Sequence, residues 1–230
     1  MERFRGDLRL AEFKFVQPNS RIFICGVPLS GKSTLAPLIA SSISDCTLQN
    51  MDILRLTTQM VDEQKPKNQR NAFVQFGSCD SYKAIGDGSY TPESLIYGFR
   101  KYAEVVCTSL DFILPKLETQ GARDVVFEGV QLIPDIVQEH LNKNSRLILI
   151  TSTEKRLSEN AKRMFGEEKW LLDRYSPEKL LLLQNELIRQ TKTFPKDQLI
   201  IIDNSGEILD SAIEIMNYLL TSGEIERKNS

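Results

Sequence analysis

The sequence predicts an α/β fold: a parallel sheet of about five strands with helices on both faces and a helical lid. Three observations carry that prediction. Residues 21–35 read R-I-F-I-C-G-V-P-L-S-G-K-S-T-L, a short apolar run, a glycine loop and the start of an apolar helical stripe. Further apolar runs, at 124–128 (D-V-V-F-E), 146–151 (R-L-I-L-I-T) and 198–203 (Q-L-I-I-I-D), end in polar residues as strands buried on both faces do. Helical periodicity fills the stretches between them, and strands alternating with helices give a parallel sheet covered on both sides.

The element that organises the rest is the loop Gly26–Ser33, which matches G-x-x-x-x-G-K-S. Such a loop turns successive backbone N–H groups toward one point, and the helix after it directs its positive end there. Gly26, Pro28, Ser30, Gly31, Lys32, Ser33 and Thr34 are therefore candidates for holding a nucleotide triphosphate. Lys32 would reach the terminal phosphates and the Ser33 hydroxyl would coordinate Mg²⁺. A glycine turn between two core elements would show the same letters. The preceding apolar strand and the stripe Leu35, Leu38, Ile39 and Ile43 favour the phosphate loop of a P-loop NTPase-type fold, with ATP and Mg²⁺ as the implied cofactors.

The remaining elements follow in order. Residues 1–20 read as a lead-in, 21–223 as one kinase-type domain with its lid at about 154–175, and 224–230 as a polar tail. Cys46–Asn50 predicts a second strand ending just before Asp52, and Ile53, Leu54, Leu56, Met60 and Val61 a helix after it. Residues 65–70, with Pro66, predict a turn. Residues 76–90 hold three glycines among hydroxyl and charged side chains, which suits a solvated loop and a substrate-facing loop equally. Thr91-Pro92-Glu93 starts a helix whose apolar face runs from Leu95 to Leu117, kinked at Pro115 and ended by Gly121. Ser176-Pro177-Glu178 starts another, and a last amphipathic helix spans about 207–220.

Ligands in parallel sheets bind at the carboxyl ends of the strands, which puts Gly26, Asp52, Glu128, Thr151 and Asn204 on one rim. Asp52 would orient an acceptor hydroxyl or take its proton, or cap the helix beginning at Ile53. Arg55, one turn later, would pair with an acceptor carboxylate or phosphate. Glu128 would hold Mg²⁺ through water or orient the acceptor. Arg163 or Arg174, in the charged stretch 154–175, would neutralise the transferring group if that stretch is a lid rather than a solvated helix. His140, the single histidine, lies in a polar run and receives no role.

Composition narrows the function classes. The chain has 230 residues, 41% hydrophobic and 26% charged, with a formal net charge of −2, so no overall basic field favours nucleic acid. Cys25, Cys46, Cys79 and Cys107 lack metal-ligand spacing, which fits a reduced, cytoplasmic chain. No stretch predicts a signal peptide or a membrane span. D-x-x-G and N-K-x-D elements are absent at suitable positions, which disfavours a GTPase switch, and the intact Lys32, Ser33 and Asp52 disfavour a non-catalytic nucleotide binder. A homodimer is compatible with these features.

The segment F-E-G-V-Q-L-I-P at 127–134 resembles the E-G-V-H-L-x-P signature of the 2-phosphoglycerate kinase family, and M-D-I-L-R at 51–55 resembles its T-D-x-x-R. S-Y-K-A at 81–84, G-F at 98–99 and I-D-N at 202–204 fall in matching order, so the resemblance spans Phe23 to Leu220. It implies an archaeal-type enzyme that transfers phosphate from ATP to a hydroxyl of a small phosphorylated hydroxy acid. Asp52, Arg55, Ser81, Tyr82, Glu128 and Gly129 would then belong to the acceptor site, and Asn204 would lie near the adenine. Gln131 stands where the family has histidine, Asp135 where it often has glycine and Met51 where it has a hydroxyl residue; the regulatory nucleotide-binding module that often precedes this kinase domain is not expected in residues 1–20. These departures bear on the acceptor, and the related mevalonate 3-phosphate 5-kinases, which lack the extra module, rank slightly ahead of 2-phosphoglycerate kinase.

Overall fold

A computed structural model describes residues 12–119 and 124–228. In chain order its elements are β1 (Phe13–Phe15), β2 (Arg21–Gly26), α1 (Lys32–Ser42), β3 (Thr47–Asn50), α2 (Met51–Glu63), α3 (Ala72–Phe76), α4 (Pro92–Cys107) and α5 (Leu110–Thr119). They continue with β4 (Val125–Glu128), α6 (Pro134–Val137), β5 (Ser145–Thr151), α7 (Glu154–Phe165), α8 (Lys169–Arg174), α9 (Pro177–Gln190), β6 (Leu199–Asp203), α10 (Ile208–Thr221) and β7 (Ile225–Arg227). The main sheet is five-stranded, ordered β3-β4-β2-β5-β6, and every pairing in it is parallel.

Alternation along the strands splits the interior into two cores. Phe23, Cys25, Phe127, Leu147 and Leu149 face α4, α7 and α9, with Phe23 and Phe127 stacked at 5.2 Å. Ile22, Ile24, Val126, Ile148, Ile150 and Ile202 face α1 and α10. Burial on both faces is why these strands read as unbroken apolar runs. All five end at the same rim.

The helix expected to run on from Leu95 breaks at Thr108–Ser109, well before Pro115. The two hydroxyls bond back to the carbonyls of Val105 (2.7 Å) and Val106 (2.6 Å) and compete with the helical ladder there. Pro115 sits inside α5, and Gly121, the expected terminator, lies outside the described residues. The start of α4 follows its sequence signal, a reciprocal capping box of Thr91 and Ser94. Residues 225–227, expected in a polar tail, pair antiparallel with residues 13–15 of the lead-in. Among the described residues no helix is long and apolar enough to cross a membrane.

Candidate active site

The loop between β2 and α1 has the backbone of an anion nest. Leu29 (φ 68°) and Gly31 (φ 95°) are left-handed, and α1 starts without a side-chain cap. The amides of Gly31, Lys32 and Ser33 have no acceptor within the chain among the described residues, so they are left for an external anion. Two struts fix the loop from behind. Asn204, after β6, donates to the Ser30 carbonyl (2.8 Å) and accepts from Ser211 (2.9 Å), while Asn160 of α7 donates to the Leu29 carbonyl (2.9 Å). A side chain at Gly31 would collide with the Asn204 amide. Asn204, expected near an adenine, is buried under the loop with both its amide atoms used internally.

Lys32 is buried at the loop's mouth, 5% exposed. Burial pushes its ammonium below the usual lysine range, and the carboxylates of Glu128 and Asp52 oppose that. Glu128, at the end of β4, is 2% exposed; burial pushes its carboxyl up, against Lys32, Ser33 and Asn50. Its oxygens accept from Ser33 Oγ (3.1 Å) and Asn50 Nδ2 (2.5 Å). A hydroxyl and a carboxylate side by side at a phosphate nest form the hard-oxygen set that Mg²⁺ takes when it keeps waters and phosphates as its other ligands. Among the described residues no three His, Cys, Asp or Glu side chains gather to hold a metal without such help.

Beside the loop opens a cavity of about 490 Å³. Lys32 and Pro28 form one wall, Asp52 and Arg55 of α2 a second, and Phe76 at the end of α3 with Gly77 and Ser78 a third. Met164, Phe165, Arg174 and Tyr175 close it from the α7–α8 side, with Phe165 and Tyr175 stacked at 5.1 Å. Arg55 is half-buried, bonds only Gln59 (2.9 Å) and meets no carboxylate among the described residues. Arg174 donates to the Phe76 carbonyl (2.8 Å) and lies 3.1 Å from Asp80.

Asp52 is in the first turn of α2 rather than before it. The cap is Asn50, whose Oδ1 accepts from the amides of Asp52 (2.7 Å) and Ile53 (3.3 Å). That frees the Asp52 carboxylate, and its Oδ1 accepts from Gln131 Nε2 (2.8 Å). The same nitrogen donates to the Tyr102 hydroxyl (2.7 Å), while Gln131 Oε1 is buried without a partner. Gly129 admits this packing, since a Cβ there would come within 2.5 Å of Met51 Cβ and of Gln131 Oε1.

Lys32, Asp52, Arg55 and Arg174 thus share one cavity, while the bonded pair Ser33 and Glu128 does not line it. Ser81 and Tyr82 do not line it: Ser81 is fully buried and donates to the Ser78 carbonyl (2.9 Å), and Tyr82 packs edge-on to Tyr90. The wall they were expected to form is made by residues 75–78. Arg163 is exposed on α7 and makes no hydrogen bond or ion pair among the described residues; its neighbours Met164 and Phe165 line the cavity instead. Tyr102 was missed because it lies on an apolar helical stripe. Asn50 was missed although Asn before an apolar helix is a cap signal.

No protein-family model and no curated protein matches the chain. Among solved structures, the fold is similar to that of TT1252 from Thermus thermophilus, with a TM-score of 0.55, 17% identity and coverage of 88% of this chain and 96% of that one. A gluconokinase from Sinorhizobium meliloti 1021 scores 0.48 at 14% identity, covering 89% and 94%. Shikimate kinase from Acinetobacter baumannii, solved with shikimate, scores 0.47 at 16% identity, covering 88% and 93%. The first likeness supports the fold, and none of the three assigns a reaction.

Proposed function

We propose that the chain transfers the γ-phosphoryl group of ATP to a hydroxyl of a small hydroxy acid that already carries phosphate. The observation that carries this reading is the single cavity onto which Lys32, Asp52, Arg55 and Arg174 open beside the amide nest. A nucleotide-binding switch needs the nest alone; the cavity beside it, with its own carboxylate and a guanidinium that meets no carboxylate among the described residues, suits a second substrate.

The nest and Lys32 hold the β- and γ-phosphates, and Asp52 aims the acceptor hydroxyl at the γ-phosphorus. The acceptor O–P bond forms as the bond to the β,γ-bridging oxygen breaks, ADP departs, and the hydroxyl proton passes to Asp52. Arg55 binds the acceptor's fixed anion, and Arg174 faces the transferring charge from the α7–α8 lid. Ser33 and Glu128 would hold Mg²⁺, directly and through water, and the ion supplies charge neutralisation on the phosphates.

The resemblance at 127–134 and 51–55 favours mevalonate 3-phosphate, phosphorylated on its 5-hydroxyl, with 2-phosphoglycerate as the alternative acceptor. ATP consumption measured with mevalonate 3-phosphate, mevalonate and 2-phosphoglycerate tests this. Turnover is expected with a phosphorylated acid; turnover only with unphosphorylated mevalonate overturns the substrate class, and none with any hydroxyl acceptor overturns the reaction.

A further inference from the structure

We infer that Gln131 sets the polarity of the acceptor pocket: it leaves Asp52 to receive the substrate hydroxyl and turns Tyr102 into a donor to a neighbouring anionic oxygen of the same substrate. The inference rests on the phosphotransfer reading above and assigns the residues that select its acceptor.

Gln131 is fully buried, so its amide has no water to bond. Its nitrogen carries two protons, and both are committed, one to Asp52 Oδ1 and one to the Tyr102 oxygen. The amide cannot turn over. A carboxylate offers only acceptors, so an oxygen placed 2.8 Å from Asp52 would face another oxygen. The cost of this orientation is visible in Gln131 Oε1, buried without a partner. A reversed amide would satisfy that oxygen with the Tyr102 proton and sacrifice Asp52.

With its oxygen already accepting, the Tyr102 hydroxyl must send its own proton elsewhere, and among the described residues it donates to nothing. Tyr102 lines the cavity. Burial pushes its phenol well above the usual range, partly offset by Arg55 nearby, so the proton stays available. A phenol donor near a guanidinium that bonds Gln59 and meets no carboxylate among the described residues matches a carboxylate oxygen of the substrate better than a neutral hydroxyl. The pocket therefore reads a hydroxyl flanked by an anionic group, which describes a hydroxy acid rather than a sugar or a nucleoside. Tyr102 is a specificity-determining residue and Gln131 a positioning residue that acts through it and through Asp52.

Steady-state kinetics of the full chain with ATP and the accepted acid test this in four forms: wild type, Tyr102→Phe, Gln131→Leu and the double variant, with thermal melts confirming each fold. Tyr102→Phe is expected to raise the acceptor KM at least tenfold with the KM for ATP within twofold. Gln131→Leu is expected to lower kcat at least tenfold, and the two effects should not multiply in the double variant. The methyl ester of the acid should lose at least a hundredfold in kcat/KM with wild type, and Tyr102→Phe should narrow that gap. If Gln131→Leu fails to fold, Tyr102→Phe and the ester comparison still decide the matter. An unchanged acceptor KM, an unchanged ester penalty or fully multiplicative effects overturn the inference while the phosphotransfer reading stands. A wild type inactive on every hydroxyl acceptor overturns both.

Discussion

Lys32 places a charge where the folded chain disfavours one. Burial depresses its folded value below 10.5, so its contribution to stability is present above that pH and is lost as pH falls through the depressed value. Near neutrality the ammonium is a cost that the fold carries, and the proposed phosphate site accounts for it. Lys32→Met fills similar space without charge. At pH 7.5 the variant should melt at or above the wild-type temperature, the gap narrowing toward pH 10.5, while turnover falls about 10²- to 10³-fold. Scanning fluorimetry with an ADP-release assay reads both; near-normal turnover would refute the loop assignment. At this scale the sequence was most legible where function is local. Gly26 to Thr34 are contiguous, so their spacing alone announces the nest. Tyr102, Gln131 and Asn50 are far apart in sequence, and nothing in their own neighbourhoods separates an apolar-stripe tyrosine from one that lines a cavity. Ser81 and Tyr82 fail for the opposite reason: hydroxyls in a glycine-rich stretch look available, yet a short 3₁₀ turn at 81–84 folds them inward.

Among the elements, the α2–α3 connection decides the shape of the proposed acceptor cavity, because α2 carries Asp52 and Arg55 and the end of α3 leads into Gly77 and Ser78. Asp62, in the last turn of α2, ties the two together. It accepts from Lys65 (2.9 Å), the Asn71 amide (2.8 Å) and Gln75 Nε2 (3.2 Å). Burial alone would push its carboxyl up, but these three bonds overcome that and hold it below 3.8. Its contribution is therefore present above pH 3.8 and lost as pH falls through the depressed folded value. Asp62→Asn should cost about 1–3 kcal/mol at pH 7. The deficit should stay level from pH 5 to 8 and close below pH 3.8 in denaturant titrations. Because α3 then loses its anchor, the acceptor KM should rise while ATP affinity measured by calorimetry holds; a shift in ATP affinity alone would contradict this division of the site. Element identity was largely readable, since each strand is a run of apolar residues and each of α4 and α9 begins at a Ser/Thr-Pro cap. The break at Thr108–Ser109 was not, because back-bonding by two hydroxyls competes with an otherwise continuous apolar stripe. The pairing of residues 13–15 with 225–227 was not either, as three-residue strands are too short to display a period.

On the scale of the whole molecule, the two faces of the sheet are unequal in what they bear. Cys25, Cys79 and Cys107 all belong to the core under α4 and α9, the half that walls the cavity beside the loop, whereas Cys46 packs partly exposed at the margin of the other core. Burial pushes the Cys25 thiol far up, Cys79 up to about 11, and Cys46 and Cys107 up to about 12. At pH 8 none of the four offers much thiolate while folded, and all four revert to ordinary reactivity once opened. A thiol reagent should therefore modify Cys46 first, by local fluctuation, and the other three slowly and together, by cooperative opening of that core. A ligand that binds only the closed form lowers the open population by its binding free energy. ATP with Mg²⁺ at 100 times its Kd should slow modification of Cys25, Cys79 and Cys107 about 100-fold and leave Cys46 nearly unchanged. Mass spectrometry of timed labelling reads each site separately. If the nucleotide protected Cys46 equally, or left the three core thiols at their free rates, the α4–α9 half would not open as one unit with the phosphate loop, and the cavity and the nest would have to be treated as independently stable parts.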